Sequence, residues 1–190
     1  MGRPWLAAGG PCRSRWPSRA SVLVEPDSSR EAFRGKHIRV EVERWPAGER
    51  EVVRHPGACA VVALTETGDV LLVRQLRESV REILLEIPAG IYDVEGEDPV
   101  GCGAREVMEE TGYRATDLVP LATIYTSPGF TDERIDLFTA RAEDAGGPGE
   151  DGVEVVRLPL GEAVEAARSG QIKDAKTVIG LMLARNHGRG

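Results

Sequence analysis

Cysteine and histidine are scarce in this chain. Its three cysteines, Cys12, Cys59 and Cys102, are odd in number and lack CxxC spacing. Neither a disulfide scaffold nor a zinc site is therefore expected, and a reducing compartment such as the cytoplasm suits them better. Three histidines, His37, His55 and His187, are scattered and form no metal motif, so each is expected to be a surface or core residue. No apolar run approaches the length needed to cross a membrane. Positive charge is not in excess either: 24 Lys and Arg stand against 31 Asp and Glu, for a net charge of −7. That argues against nucleic acid as the main partner. What is present is 190 residues, 41% hydrophobic and 29% charged, enough for one globular domain with its own core.

Residues 1–20 carry four arginines and no acidic residue, with many Gly, Pro and Ser. A disordered tail is expected. A targeting presequence is the alternative for such an Arg-rich, acid-poor segment, but its prolines and Gly-Gly pair oppose an amphipathic helix. A single domain is expected over 21–186, with 187–190 as a second tail. Within it, His37–Arg44 alternates polar and apolar residues as a half-buried strand does. Trp45-Pro46-Ala47-Gly48 is a turn signal. Ala58–Leu64 is a short apolar run, read as a buried strand, and Thr67-Gly68-Asp69 turns it into a hairpin with Val70–Leu76. Glu82–Ile87 is another strand, stopped by Pro88-Ala89-Gly90. A helix is expected after Asp98 (N-cap) and Pro99 (N1), ending before Gly112. Strands at Val119–Thr126, Arg134–Arg141 and Val153–Leu158 follow, with a flexible acidic loop over 142–152. Helices are expected at Gly161–Arg168 and Asp174–Ala184. Strands around a central helix, without regular βαβ alternation, suggest an α+β fold with a mixed sheet.

The most informative stretch is 90–113, GIYDVEGEDPVGCGAREVMEETGY, with seven acidic residues and one arginine between 93 and 110. On a helix, Glu106 and Glu110 lie four residues apart with Glu109 beside them, so three carboxylates share one side. Like charges at this spacing destabilise a helix. A hard divalent cation, which takes oxygen ligands, would explain them. A solvated acidic face, with Arg105 paired to Glu109, would explain them too, and spacing alone leaves both open.

The whole string resembles the Nudix box, G-x5-E-x7-R-E-U-x-E-E-x-G-U with U apolar. Gly90, Glu97, Arg105, Glu106, Val107, Glu109, Glu110, Gly112 and Tyr113 occupy its places. Two departures stand out: six residues, not five, separate Gly90 from Glu97, and the last apolar place holds Tyr113. The resemblance continues outside the box. Glu86–Gly90 is similar to the E-x-P-A-G lead-in of the ADP-ribose pyrophosphatase branch, Val73–Arg77 to its V-x-Q-x-R strand, Ser127–Gly129 to its S-P-G loop, and Gly170–Thr177 to its G-x-I-x-D-A-K-T ending.

The resemblance implies a Nudix-like α/β/α sandwich with a mixed β-sheet and a catalytic loop-helix-loop. It implies a Mg²⁺-dependent hydrolase, with Mn²⁺ as the alternative ion, that cleaves a nucleoside diphosphate sugar. The leading expectation is ADP-ribose going to AMP and ribose 5-phosphate. Bound cations also explain how an acidic protein holds an anionic substrate. Glu106 and Glu110 are the expected metal ligands, with Glu109 direct or through water, the Ala89 backbone carbonyl completing a site, and Glu97 supporting the loop or an outer water. Arg105 would orient the carboxylates. Glu150, in the 142–152 loop, is the preferred general base and Glu133 the other candidate. Arg77 and Glu86 are expected to contact substrate; Arg81 is expected to be surface charge. The branch also implies a homodimer to which N-terminal strands around 37–55 contribute. Alternatives are another nucleoside diphosphate sugar such as GDP-mannose, a dinucleotide, or a non-catalytic ADP-ribose-sensing module.

Overall fold

The computed structural model of the chain describes residues 24–147, 149 and 151–187. The tail expected over 1–20 lies outside these residues. The first element group is a small antiparallel sheet in the order β1 (Ser28–Arg34), β2 (Arg39–Trp45), β3 (Gly48–Arg54). The β2–β3 hairpin closes at Trp45–Pro46–Ala47–Gly48, with Trp45 opposite Gly48, as the turn signal predicts. β1 was not expected. Every one of its residues is exposed, so no alternation marks it in the sequence.

The second sheet contains β4 (Ala58–Thr65), β5 (Asp69–Arg77), β6 (Glu82–Glu86), β7 (Ala89–Ile91), β8 (Tyr113–Tyr125), β9 (Arg134–Asp144) and β10 (Glu154–Pro159). Its order is β10-β5-β4-β9-β8, with β6 on β5 and β7 on β4. β4 runs parallel to β9 while its contacts with β5 and β7 are antiparallel, so the sheet is mixed. Three helices cover it: α1 (Pro99–Thr111), α2 (Leu160–Arg168) and α3 (Ala175–His187).

β4 shows why the helices divide between two faces. Cys59, Val61 and Ala63 pack in one buried cluster with Cys102 and Val107 of α1. Ala60 and Val62 pack in the other, with Ala163 and Val164 of α2 and Leu181 of α3. A strand covered on both sides needs apolar residues at every position, hence the unbroken run ACAVVAL. Burying each Val or Leu contributes about 1.5–3 kcal/mol. The result is an α+β fold in α/β/α layers, with β4 at the centre.

Local signals fix the central helix. Asp98 Oδ1 accepts the Gly101 N–H at 2.7 Å, Pro99 opens the first turn, and Gly112 caps the end by donating to the Met108 carbonyl at 2.9 Å. Elsewhere the boundaries shift. Pro88 does stop β6, but Ala89–Ile91 resumes as a short strand against β4, and the Pro88 carbonyl accepts the Val61 N–H at 2.9 Å. β8 begins at Tyr113 rather than Val119, because its pairing slips between Thr116 and Val119 and the bulge hides the period. β9 continues to Asp144, which shortens the loop expected over 142–152.

Candidate active site

The box brings β7 and α1 into direct contact. A Cβ at Gly90 would lie 1.9 Å from Glu106 Cδ, so only glycine lets this carboxylate rest against the strand. One turn on, Glu110 Oε2 accepts the Ala89 N–H at 3.2 Å. Glu110 is only 6% exposed. Burial pushes its carboxyl up to about 7; the Ala89 N–H pulls back against that, and the charge of Glu106 adds to it. Burial also raises the Glu106 carboxyl, against the pull of Arg105.

Arg105 gathers the remaining carboxylates. Its Nε donates to Glu97 Oε1 at 3.0 Å and its Nη2 to Glu97 Oε2 at 3.0 Å. Nη1 reaches Glu106 Oε1 at 2.6 Å and Glu109 Oε2 at 3.1 Å. Glu97 first, then Glu106, hold the guanidinium above its ordinary value. One side chain thus ties the loop before α1 to the helix by a bidentate pair. Glu97 meets Arg105 despite the extra loop residue.

Glu109 is 56% exposed on its side chain and paired to Arg105, whereas Glu106 and Glu110 turn inward to β7. Among the described residues no group of three His, Cys, Asp or Glu side chains converges to hold a metal. Glu106 and Glu109 both accept from Arg105 Nη1, so the guanidinium occupies the point between their carboxylates. The pair that does lie against β7 still suits Mg²⁺. That ion is commonly held by one or two carboxylates and keeps several waters, and the donors here are all oxygen. The Glu106 carboxylate itself takes the space that a side chain at Gly90 would fill.

A cleft of about 410 Å³ opens beside this pair, lined by Ala89 and Gly90 together with Arg77, His55, Glu133 and Lys176. Arg77, expected to contact substrate, lies in the lining of this cleft. Glu86, also expected to contact substrate, is instead engaged within the protein. It is 1% exposed. Arg77 Nε and Nη2 donate to its two oxygens at 2.8 and 2.7 Å, and Lys176 Nζ donates to Oε2. Burial alone would raise its carboxyl, but Arg77 and Lys176 outweigh burial and hold it below the ordinary value. Glu86 is the counter-ion that fixes Arg77 and Lys176 in the cleft wall.

Of the two candidate bases, Glu133 lines the cleft. Thr126 Oγ1 donates to its Oε2 at 2.6 Å, and His55 Nε2 stands 3.7 Å from its Oε1. Glu150 lies outside the described residues. Its neighbour Gly149 packs on the end of α1: a Cβ there would lie 2.4 Å from the Glu110 carbonyl oxygen. Arg81 has φ 57 in the turn before β6 and stays out of the cleft lining.

Two cleft residues were missed. Lys176 belongs to the Gly170–Thr177 string, so a signal existed, but nothing local points it at Glu86. His55 carried no signal beyond preceding Pro56–Gly57. The Gly57 N–H donates to its Nδ1 at 3.1 Å, which leaves the Nε2 of a neutral ring as the proton-bearing atom facing Glu133.

The NUDIX domain matches residues 53–178. The chain is 40% identical over 159 residues to the methanol dehydrogenase activator of Bacillus methanolicus, covering 78% of this chain and 85% of that protein. It is 40% identical over 147 residues to the ADP-ribose pyrophosphatase of Bacillus subtilis, covering 75% and 79%. It is 37% identical over 149 residues to the GDP-mannose pyrophosphatase of Cronobacter sakazakii, covering 68% and 77%. A crystal structure of an ADP compounds hydrolase superposes with a TM-score of 0.72 at 22% identity, covering 90% of this chain and 99% of that one; it shares the fold.

Proposed function

The chain belongs to the Nudix family, and from that premise we propose that it is a Mg²⁺-dependent hydrolase cleaving the diphosphate of ADP-ribose to AMP and ribose 5-phosphate. The observation that carries the proposal is the pair Glu106 and Glu110, set against Ala89 and Gly90 at the edge of the cleft with burial opposing their charge. Mg²⁺, or Mn²⁺ in its place, would offset the charge of the diphosphate and polarise its phosphorus. Arg105 keeps Glu106 in place and anchors the preceding loop through Glu97. Arg77 and Lys176 present positive charge along the cleft, the expected surroundings for phosphate oxygens. Water attacks one phosphorus in line, a carboxylate takes its proton, and the bond from that phosphorus to the bridging oxygen breaks, so that the other phosphate leaves with that oxygen.

Glu150 remains the preferred acceptor, supported by its place in the order of elements after the box. Glu133 is the other, supported by its place in the cleft lining. Glu150→Ala is expected to lower kcat by orders of magnitude with metal affinity nearly unchanged; a normal kcat passes the role to Glu133. Glu97, Arg105 and Glu109 act around the metal pair, and the Ala89 carbonyl joins it.

The second reading is the same chemistry on GDP-mannose, favoured by the 37% identical relative of that name. A panel of ADP-ribose, GDP-mannose, other sugar nucleotides and dinucleotides, with phosphate release coupled to a phosphatase, separates the two. Release from none of them in Mg²⁺ would leave an ADP-ribose-sensing module as the better description. The protein is proposed to work in the cytoplasm as a homodimer. The small, separate β1–β3 sheet, with β1 wholly exposed, supports a contribution of residues around 37–55 to the partner's site. An active, strictly monomeric protein in sedimentation would refute the dimer. No helix among the described residues is long and apolar enough to cross a membrane.

A further inference from the structure

A second concave site adjoins the cleft, and His55 stands in the wall of both. Its volume is about 240 Å³, below the roughly 300–1,000 Å³ of pockets that take a whole small ligand. It suits one group at the end of a larger molecule. The β1–β2 turn forms one side, closed by the Gly35 N–H donating to the Ile38 carbonyl at 2.8 Å. Arg54, His55 and Pro56, where β3 leads into β4, form the other.

Cationic side chains dominate the lining. Asp132 is its single carboxylate, and it is already used: Oδ2 accepts Arg54 Nη1 at 3.2 Å and Oδ1 accepts the His55 N–H at 2.8 Å. Arg54 is also engaged by Glu41 and Glu43, so it forms a fixed wall. Arg34 pairs with Glu31 at 2.5 Å and Arg39 with Glu41 at 3.0 Å. Both arginines are solvent-exposed, and pairs of that kind hold weakly, so either can turn to a stronger acceptor. Lys36 and His37 have no carboxylate within ion-pair distance among the described residues. In a chain of net charge −7, this local excess of donors inside a concavity is a place for an anion.

We propose that this pocket is a subsite for a phosphate monoester that the substrate carries in addition to its diphosphate. The inference rests on the diphosphate-hydrolase reading of the adjoining cleft. A substrate with its diphosphate beside Glu106 and Glu110 passes His55 and puts its end group between the β1–β2 turn and β3. A phosphate monoester there presents three acceptor oxygens and close to two negative charges, matching the unpartnered Lys36 and His37 and the movable Arg34 and Arg39. Plain ADP-ribose leaves the same donors to water. The preferred substrates are then phosphorylated nucleoside diphosphate sugars.

Three compounds test this in Mg²⁺: ADP-ribose, and ADP-ribose with one further phosphate on either the adenosine 2′-hydroxyl or the terminal ribose. Turnover is read with the wild-type chain, and affinity by calorimetry in a Glu110→Gln background that prevents turnover. One phosphorylated compound is expected to bind about tenfold or more tighter than ADP-ribose, the scale of one or two charge-assisted hydrogen bonds. Adding Arg34→Ala and Lys36→Ala removes that gain and leaves ADP-ribose affinity unchanged; both positions are exposed, so the fold tolerates them. Equal affinity for all three compounds overturns the subsite, as does a gain that survives the double substitution. Selective binding lost on substitution, but without turnover of any compound, keeps the subsite and sinks the hydrolase reading. Turnover of all three with equal affinity does the reverse.

Discussion

Glu86 and Glu110 are both buried carboxylates beside the same cleft, 1% and 6% exposed, yet the protein treats them oppositely. Glu86 has Arg77 on both oxygens and Lys176 on one, and stays charged below the ordinary range. Glu110 has the single backbone N–H of Ala89, and its carboxyl is driven up to about 7. Arg105, on the same helix, spends its donors on Glu97, Glu106 and Glu109 and makes no bond to Glu110. Leaving a buried charge without a partner is costly. The chain neutralises one carboxylate from within and leaves the other without a cationic partner, where the proposed metal would sit. That division separates the scaffold of the cleft from its working end.

Removing the unbalanced carboxylate should produce the largest effect. Glu110→Gln is expected to lower kcat/KM for ADP-ribose by about a thousandfold, the scale of losing a group that stabilises transition-state charge. The metal-free melting temperature should hold or rise, because the amide has no charge to desolvate. Initial rates in Mg²⁺ and thermal melts in chelator measure the two halves. Turnover equal to that of the wild type would remove the metal role from Glu110.

Breaking the balanced pair should do the opposite. Lys176→Met leaves Glu86 with Arg77 alone in a buried setting, and urea unfolding should show a loss of about 3 kcal/mol, as when one partner of a buried ion pair is removed. An unchanged unfolding midpoint would mean that Arg77 suffices.

The two carboxylates also titrate in different windows. Glu110 holds its proton up to about pH 7 when folded, against an ordinary value of 4.5. Between these values the folded state carries a proton that the unfolded state has lost, so stability falls as pH rises from 4.5 to 7 and levels above. Glu86 is displaced downward. Its contribution is complete above 4.5 and disappears only as pH falls through its lowered value. Unfolding in chelator at several pH values from 5 to 8 should show a slope chiefly from Glu110, with Glu106, also raised by burial, adding to it with the same sign. Glu110→Gln should remove most of it, and saturating Mg²⁺ should weaken it, because cation binding displaces the proton. A slope that survives Glu110→Gln in full assigns the proton elsewhere.

How much of this the sequence shows depends on whether the cause is local. The caps of α1 are local, so Asp98, Pro99 and Gly112 mark its ends. β4 is covered on both faces, so its apolar run is unmistakable. β1 is exposed throughout and leaves no pattern. Pro88–Gly90 looks like a plain stop, yet β7 forms there because the partner strand β4 lies far back in the chain. The site divides in the same way. Helical spacing and the box string put Glu106 and Glu110 together, but Glu86 depends on Arg77 and Lys176, and Lys176 is 90 residues away in sequence. No local period records a contact of that range, which is why Glu86 looks like a substrate ligand until the fold places it under its two cations.

Glu109 tests the comparison at its weakest point, and the smallest effect is expected there. By the box it ranks with Glu106 and Glu110; by position it does not. Its side chain is 56% exposed and it pairs with Arg105 at 3.1 Å, an arrangement worth about 0–1 kcal/mol. Glu109→Gln should therefore leave the melting temperature unchanged and lower kcat/KM less than tenfold, while Glu106→Gln falls with Glu110→Gln. The three variants belong in one assay across a Mg²⁺ titration. If Glu109→Gln matches the other two, Arg105 must release Glu109 once the cation binds, at little cost for so exposed a pair. The division between scaffold and working end would then run through Arg105 itself, with Glu97 on its fixed side and Glu109 on its mobile one.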